Sequence, residues 1–115
     1  MKLEVGLIKG RHEMPVSSYI FEEIEDVFAF QQMEETILEF LEREVGIELC
    51  FGVGINQHEQ SDVQVFSGKA ELIVYVTGLT AATAALVATC ARNGVRLTLM
   101  HYDTASGIYR AQSVL

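Results

Sequence analysis

Residues 81–93, AATAALVATCARN, constrain the fold more than any other stretch of this chain. Apart from Arg92 the run carries no charge, and its small and apolar residues leave no polar face. Thr77-Gly78-Leu79-Thr80 opens it and Asn93-Gly94 closes it. It therefore reads as a helix with Thr80 or Thr77 capping its first N–H groups and a glycine stop at its end. A helix with no polar face has to be covered on both sides. In a chain of only 115 residues, one side is expected to meet the chain's own sheet and the other a second subunit. The alanines would allow the close approach, and on this reading Ala85→Glu breaks the assembly.

The rest of the chain supplies the other elements. Residues 2–9, KLEVGLIK, alternate loosely and read as a strand. A polar loop, GRHEMPVSS, follows, and Pro15 within it marks an edge or a turn. Tyr19 to Ile24 reads as a short edge strand. Phe30 to Val45 is an amphipathic helix, with Phe30, Met33, Ile37, Leu38, Leu41 and Val45 at helical spacing and glutamates opposite. Ile47 to Phe51 reads as a strand. Residues 62–66 and 71–76 read as a hairpin about Ser67-Gly68-Lys69. Val95 to Tyr102 and Ile108 to Val114 are two further strands. No repeat, linker or low-complexity segment interrupts the chain. The expectation is a single domain over 1–115, of α+β class, with a mostly antiparallel sheet, two helices and an oligomeric assembly.

Charge narrows the partners. The formal net charge is −8, and it is uneven: residues 1–60 sum to −9 and residues 61–115 to +1. A long polyanion such as DNA is repelled by such a surface, and no basic stripe offsets it. A few local arginines still suffice for a small anionic ligand. No apolar run approaches the roughly 18 residues a bilayer requires, and the opening MKLEVGLI is strand-like rather than a signal peptide. No membrane partner and a cytoplasmic location are expected. Cys50 and Cys90 lie among apolar residues and read as buried free thiols rather than a disulfide.

Three segments could carry chemistry. Gly10-Arg11-His12-Glu13 places a cation, an imidazole and a carboxylate directly after a strand, where they could hold a phosphate or move a proton; a polar turn is the plainer alternative. Thr77-Gly78-Leu79-Thr80 joins a strand to a helix, where outward N–H groups and the helix dipole favour an anion; ordinary capping accounts for it equally well. The C-terminal hairpin sets His101, Tyr102 and Asp103 before its loop and Tyr109, Arg110 and Gln112 after it. Tyrosines offer flat surfaces to a base, and an arginine pairs with phosphate; cross-strand pairing on a solvated face is the alternative. His12, His58 and His101 come from three separate segments with no metal-selecting spacing, so no metal or other cofactor is expected. No serine or cysteine nucleophile has an adjacent base.

KLEVGLIKGRHEMPVSSYIF and VTGLTAATAALVATCARNGVRLTLMHYDTASGIYRAQSV, together about half of the chain, resemble the first Thoeris anti-defence family of phage. The likeness is one of overall pattern rather than of a short diagnostic motif. That resemblance implies a viral sponge acting in the host cell cytoplasm. Such a protein captures cyclic ADP-ribose isomers, and in some members cyclic oligonucleotides, without cleaving them. It implies a dimer or a ring of dimers, with the alanine-rich helix between subunits. It also implies that Arg110 holds the ligand, that Asn93 contacts it, and that Arg11 is a second phosphate-binding cation. For the aromatic that stacks on adenine, Tyr102, Tyr109 and Phe66 all qualify. Two other classes stay open: a small phosphodiesterase or ring-opening hydrolase using His12 or His101 as acid/base, and a protein–protein inhibitor presenting its acidic helix face.

Overall fold

The structure is a computed structural model, and it describes residues 2–11, 13–45, 48–49, 64–65 and 70–115. Its elements in chain order are β1 (Lys2–Ile8), β2 (Tyr19–Phe21), α1 (Phe30–Glu44), β3 (Glu48–Leu49), β4 (Gln64–Val65), β5 (Glu71–Tyr75), α2 (Thr80–Arg92), β6 (Arg96–Asp103) and β7 (Ile108–Ser113). Five strands make one sheet in the order β2-β1-β5-β6-β7, while β3 and β4 form a separate antiparallel ladder.

The sheet corrects the expected fold class. β1 runs parallel to both β2 and β5, and β5 runs parallel to β6; only β6 and β7 are antiparallel. A parallel neighbour needs a crossover of a dozen or more residues, usually helical, and the 13-residue α2 is that crossover between β5 and β6. β5 with the next residue reads ELIVYV, a nearly unbroken apolar run of the kind that central parallel strands carry. The expected hairpin of 62–66 with 71–76 is also overturned. β5 is flanked by β1 and β6, and β4 pairs with β3; the turn at residues 67–69 lies outside the described residues.

From β1 to β5 to β6 the chain advances in one direction across the sheet. Crossovers of one hand then place both helices on one face, where α1 and α2 pack on each other. Met33, Ile37, Phe40 and Leu41 make the buried stripe of α1. Ala82, Ala85, Leu86, Thr89 and Cys90 make that of α2. They close over Leu7, Leu72, Val74 and Leu97 of the sheet. Two expectations change here. Ala85 is only 6% exposed within its own chain, so Ala85→Glu would break this core rather than test an assembly. The outer side of α2 is Thr80, Ala84, Ala91 and Arg92. Leu79, not Thr77 or Thr80, is the N-cap, and it has no side-chain cap hydrogen bond. The glycine stop does form: Gly94 adopts φ +72° and the Val95 N–H reaches the Cys90 carbonyl at 3.0 Å.

The opposite sheet face carries all four tyrosines. Gly6 is in register with Tyr19 on one side and Tyr75 on the other, Tyr75 with Met100, and Tyr102 with Tyr109. Neither described helix packs there. Among the described residues no helix is long and apolar enough to cross a membrane.

Candidate ligand-binding crevice

Parallel strands carry their following loops to one edge of the sheet, and in open α/β sheets that edge is where ligands sit. Here the residues after β1, the residues after β5 and the end of β6 meet at the carboxyl edge. They line a crevice of about 530 Å³ formed by Arg11, Val76, Thr77, Gly78, His101, Tyr102 and Thr104. That volume lies within the range of small-molecule sites. Arg11 from the first candidate segment of the sequence, Thr77 and Gly78 from the second, and His101 and Tyr102 from the third thus line one crevice.

Each wall has a local cause. Gly10 turns the chain out of β1 at φ +87° and presents Arg11, which is exposed and makes no ion pair among the described residues. Thr77 follows β5, and its Oγ1 is buried with no hydrogen-bond partner among the described residues. Gly78 has open space where a Cβ would stand, so a ligand can approach its backbone. Beyond it α2 begins without a side-chain cap. Its first N–H groups are therefore not satisfied in the way helix starts usually are. On the third wall Tyr102 remains 46% exposed.

Electrostatics set the crevice apart from the rest of the surface. The chain carries −8, yet the seven lining residues include a cation and no carboxylate. The nearest acid in sequence, Asp103, is occupied. The Arg110 Nε donates to its Oδ2 at 2.7 Å, and the Ala105 N–H donates to Oδ1 at 2.9 Å. The Arg110 bond is the main reason the Asp103 carboxyl is held below the usual carboxylate range.

The tyrosines are sorted by the same geometry. Tyr109 packs edge-to-face on Tyr75 with ring centroids 4.8 Å apart, and its hydroxyl donates to the Glu13 carbonyl at 3.2 Å. Burial first, and then Tyr102, push its phenol up. Tyr75 is likewise raised, by burial and then by Glu4, whose Oε1 accepts from its hydroxyl at 3.3 Å. Tyr102 meets Tyr109 at 5.2 Å between centroids and is the tyrosine of the crevice. Phe66, the third aromatic candidate, lies outside the described residues, as does His12.

Comparison with family models, curated proteins and solved structures returned no match to this chain.

The remaining expected site residues lie elsewhere. Asn93 ends α2 at the opposite edge of the sheet, where β6 begins; at about 3.3 Å per residue along β6 it is roughly 20 Å from Tyr102. It is buried, and its Nδ2 donates to the Thr89 carbonyl at 2.8 Å. Arg110 and Gln112 stand on β7, outside the crevice lining. Arg110 is held by Asp103, and the Gln112 Oε1 lies 2.7 Å from His101 Nε2. Of these two partners only His101 lines the crevice. Val76 and Thr104 are lining residues that sequence reasoning missed. The signal for them was topological, since both directly follow strands of the parallel set.

Proposed function

We propose that this protein is a non-catalytic binder of a cyclic nucleotide signal, as its resemblance to the Thoeris anti-defence sponges implies, and that it holds the ligand at this crevice. The observation that carries the reading is the charge pattern. On a strongly acidic chain, the crevice at the carboxyl edge combines, among the described residues, an arginine, an unsatisfied buried hydroxyl and an exposed tyrosine ring with no carboxylate. Arg11 pairs with a phosphate. The Thr77 hydroxyl and the Gly78 backbone take polar edges of the ligand, and Tyr102 stacks on its base. In place of direct contacts, Arg110 holds Asp103 away from the ligand and Gln112 orients the His101 ring.

The crevice is open to solvent, and tight capture needs enclosure. A second copy of the chain, in a dimer or a ring of dimers, supplies the missing wall on this reading. The site of action would be the host cell cytoplasm.

The test is native mass spectrometry of the protein after incubation with cyclic ADP-ribose isomers and with cyclic di- and trinucleotides. Heat release and analysis of the bound molecule follow. An intact ligand, lost in Arg11→Ala and Tyr102→Ala, supports the proposal. A cleaved product would make the protein a hydrolase, and absence of any bound nucleotide would remove the nucleotide reading altogether.

A further inference from the structure

A second cleft lies against the two helix starts, and its chemistry is the reverse of the crevice. It holds about 390 Å³, and its lining includes Ile24, Val27, Phe28, Phe30, Leu79 and Ala84. No charged side chain faces it, and Thr80 is its one polar residue among those described. Phe28 is 74% exposed and Phe30 54%. These rings are not loose. The Asp26 Oδ1 accepts the Phe28 N–H at 2.9 Å, the Ala29 N–H reaches the Asp26 carbonyl at 3.2 Å, and the two rings meet edge-to-face at 6.2 Å. A fixed turn therefore displays two aromatic side chains beside an apolar trough.

The rim decides what fits. An adjoining cleft, which shares Ile24 and Met33 with this one, is lined by Glu23, Glu25 and Asp26. One helical turn after Phe30 stand Glu34, which is paired with Arg92 at 3.0 Å, and Glu35. Between Glu22 and Glu44 the sequence holds nine carboxylates and a single cation, Arg43, which is itself paired with Glu44 at 3.1 Å. A second copy docked here would set two acidic rims face to face, and like charges across an interface are costly. An anionic lipid surface is repelled for the same reason. An apolar trough walled by helices and rimmed with acid suits the apolar face of a helix whose other face is basic.

We propose that the Phe28–Phe30 groove docks a basic amphipathic helix of a partner protein. The groove adjoins the nucleotide crevice at Gly78, which lines both, but the proposal does not depend on that reading.

The test uses a fluorescein-labelled leucine–lysine peptide with leucines at helical spacing, and a control of identical composition with the leucines out of period. Binding to the full chain is followed by fluorescence anisotropy. Saturable binding of the periodic peptide is expected, weakened by salt and by Glu23→Lys with Glu25→Lys. Phe28→Ser with Phe30→Ser should weaken it roughly tenfold or more while the thermal midpoint is unchanged, because both rings are exposed. Equal binding of the control peptide, or unchanged affinity in the phenylalanine variant, reduces the effect to charge alone and overturns the proposal. So does a wild-type dimer by sedimentation that Phe28→Ser with Phe30→Ser turns into a monomer, since the occupant is then a second copy.

Discussion

Gly6→Ala tests whether the tyrosine face is packed as described. Gly6 lies inside β1 with Tyr19 and Tyr75 in register on its two sides. A Cβ at this position meets Tyr19 Cδ2, meets Tyr19 Cε2 at 2.5 Å and meets the Met14 Sδ at 2.9 Å. Carbon–carbon contacts are best near 3.5–4.0 Å, so the overlap is deep. The thioether can swing away, but the Tyr19 ring, on the strand paired with β1, has to give up its place beside Gly6. Two terms oppose each other. Alanine in a strand is favoured over glycine by roughly 0.5–1 kcal/mol, whereas forcing an extra carbon into a packed site costs roughly 1–3 kcal/mol. The overlap term should win, giving a net loss of about 1–2 kcal/mol. Tyr19→Ser removes the ring. In that background Gly6→Ala should change sign and stabilise by roughly 0.5–1 kcal/mol. Urea unfolding of the four proteins forms a double-mutant cycle, with an expected coupling of at least about 1 kcal/mol. If Gly6→Ala alone were as stable as the wild type or more so, the Tyr19 ring would not lie over β1 and the reasoning would fail.

Other positions give sharper single readouts. Leu86 is fully buried between α2 and the sheet, so Leu86→Ala should cost about 2–5 kcal/mol in urea unfolding; a smaller loss would mean the helix layer is not seated as described. Burial pushes the Cys90 thiol up to about 12; at pH 8 it stays protonated, and iodoacetamide should spare the Cys90 peptide in the native protein and label it in guanidinium. Asp103 has a lowered carboxyl pKa, chiefly from the Arg110 bond. Its contribution to stability is therefore present above the ordinary carboxylate pKa and lost as pH falls through the lowered folded value. Arg110→Ala should move the Asp103 midpoint up in carbon-13 NMR titration, and an unmoved midpoint would deny the pairing. Tyr102→Ala should weaken nucleotide binding by roughly 1–3 kcal/mol if the ring stacks on a base, measured by calorimetry at unchanged thermal midpoint.

Local signals in the sequence located most elements, while pairing escaped them. The period of Met33, Ile37 and Leu41 and the glycine at 94 both report on structure within a few residues, and both read correctly. Whether β5 neighbours β4 or β1 depends on what lies far along the chain. The hairpin expectation gave weight to the short turn at 67–69, but it passed over ELIVYV, whose nearly unbroken apolar run belongs to a strand with neighbours on both sides. The all-apolar look of α2 misled in a related way. Its uniform composition hid which side faces the sheet: Ala85 lies in the chain's own core, while Thr80, Ala84 and Ala91 stand on the outer side.

The error in topology and the partial view of the site have one origin. Were β1 and β5 paired antiparallel, the loops after them would leave at opposite edges, and Arg11 and Thr77 would belong to separate candidates. Once β1, β5 and β6 are parallel, all three strands deliver their following residues to one edge, and Arg11, Thr77 and Tyr102 meet without any motif linking them in sequence. The same rule removes Asn93. A residue that ends the crossover helix must lie where the next parallel strand begins, so it shares an edge with Arg96 and not with Tyr102. Arg110 differs again: β7 is the antiparallel strand and starts at the correct edge, but register sets Arg110 opposite His101, and it turns to Asp103. Strand direction thus decides which sequence candidates can share a ligand, and it is the quantity that local patterns encode least.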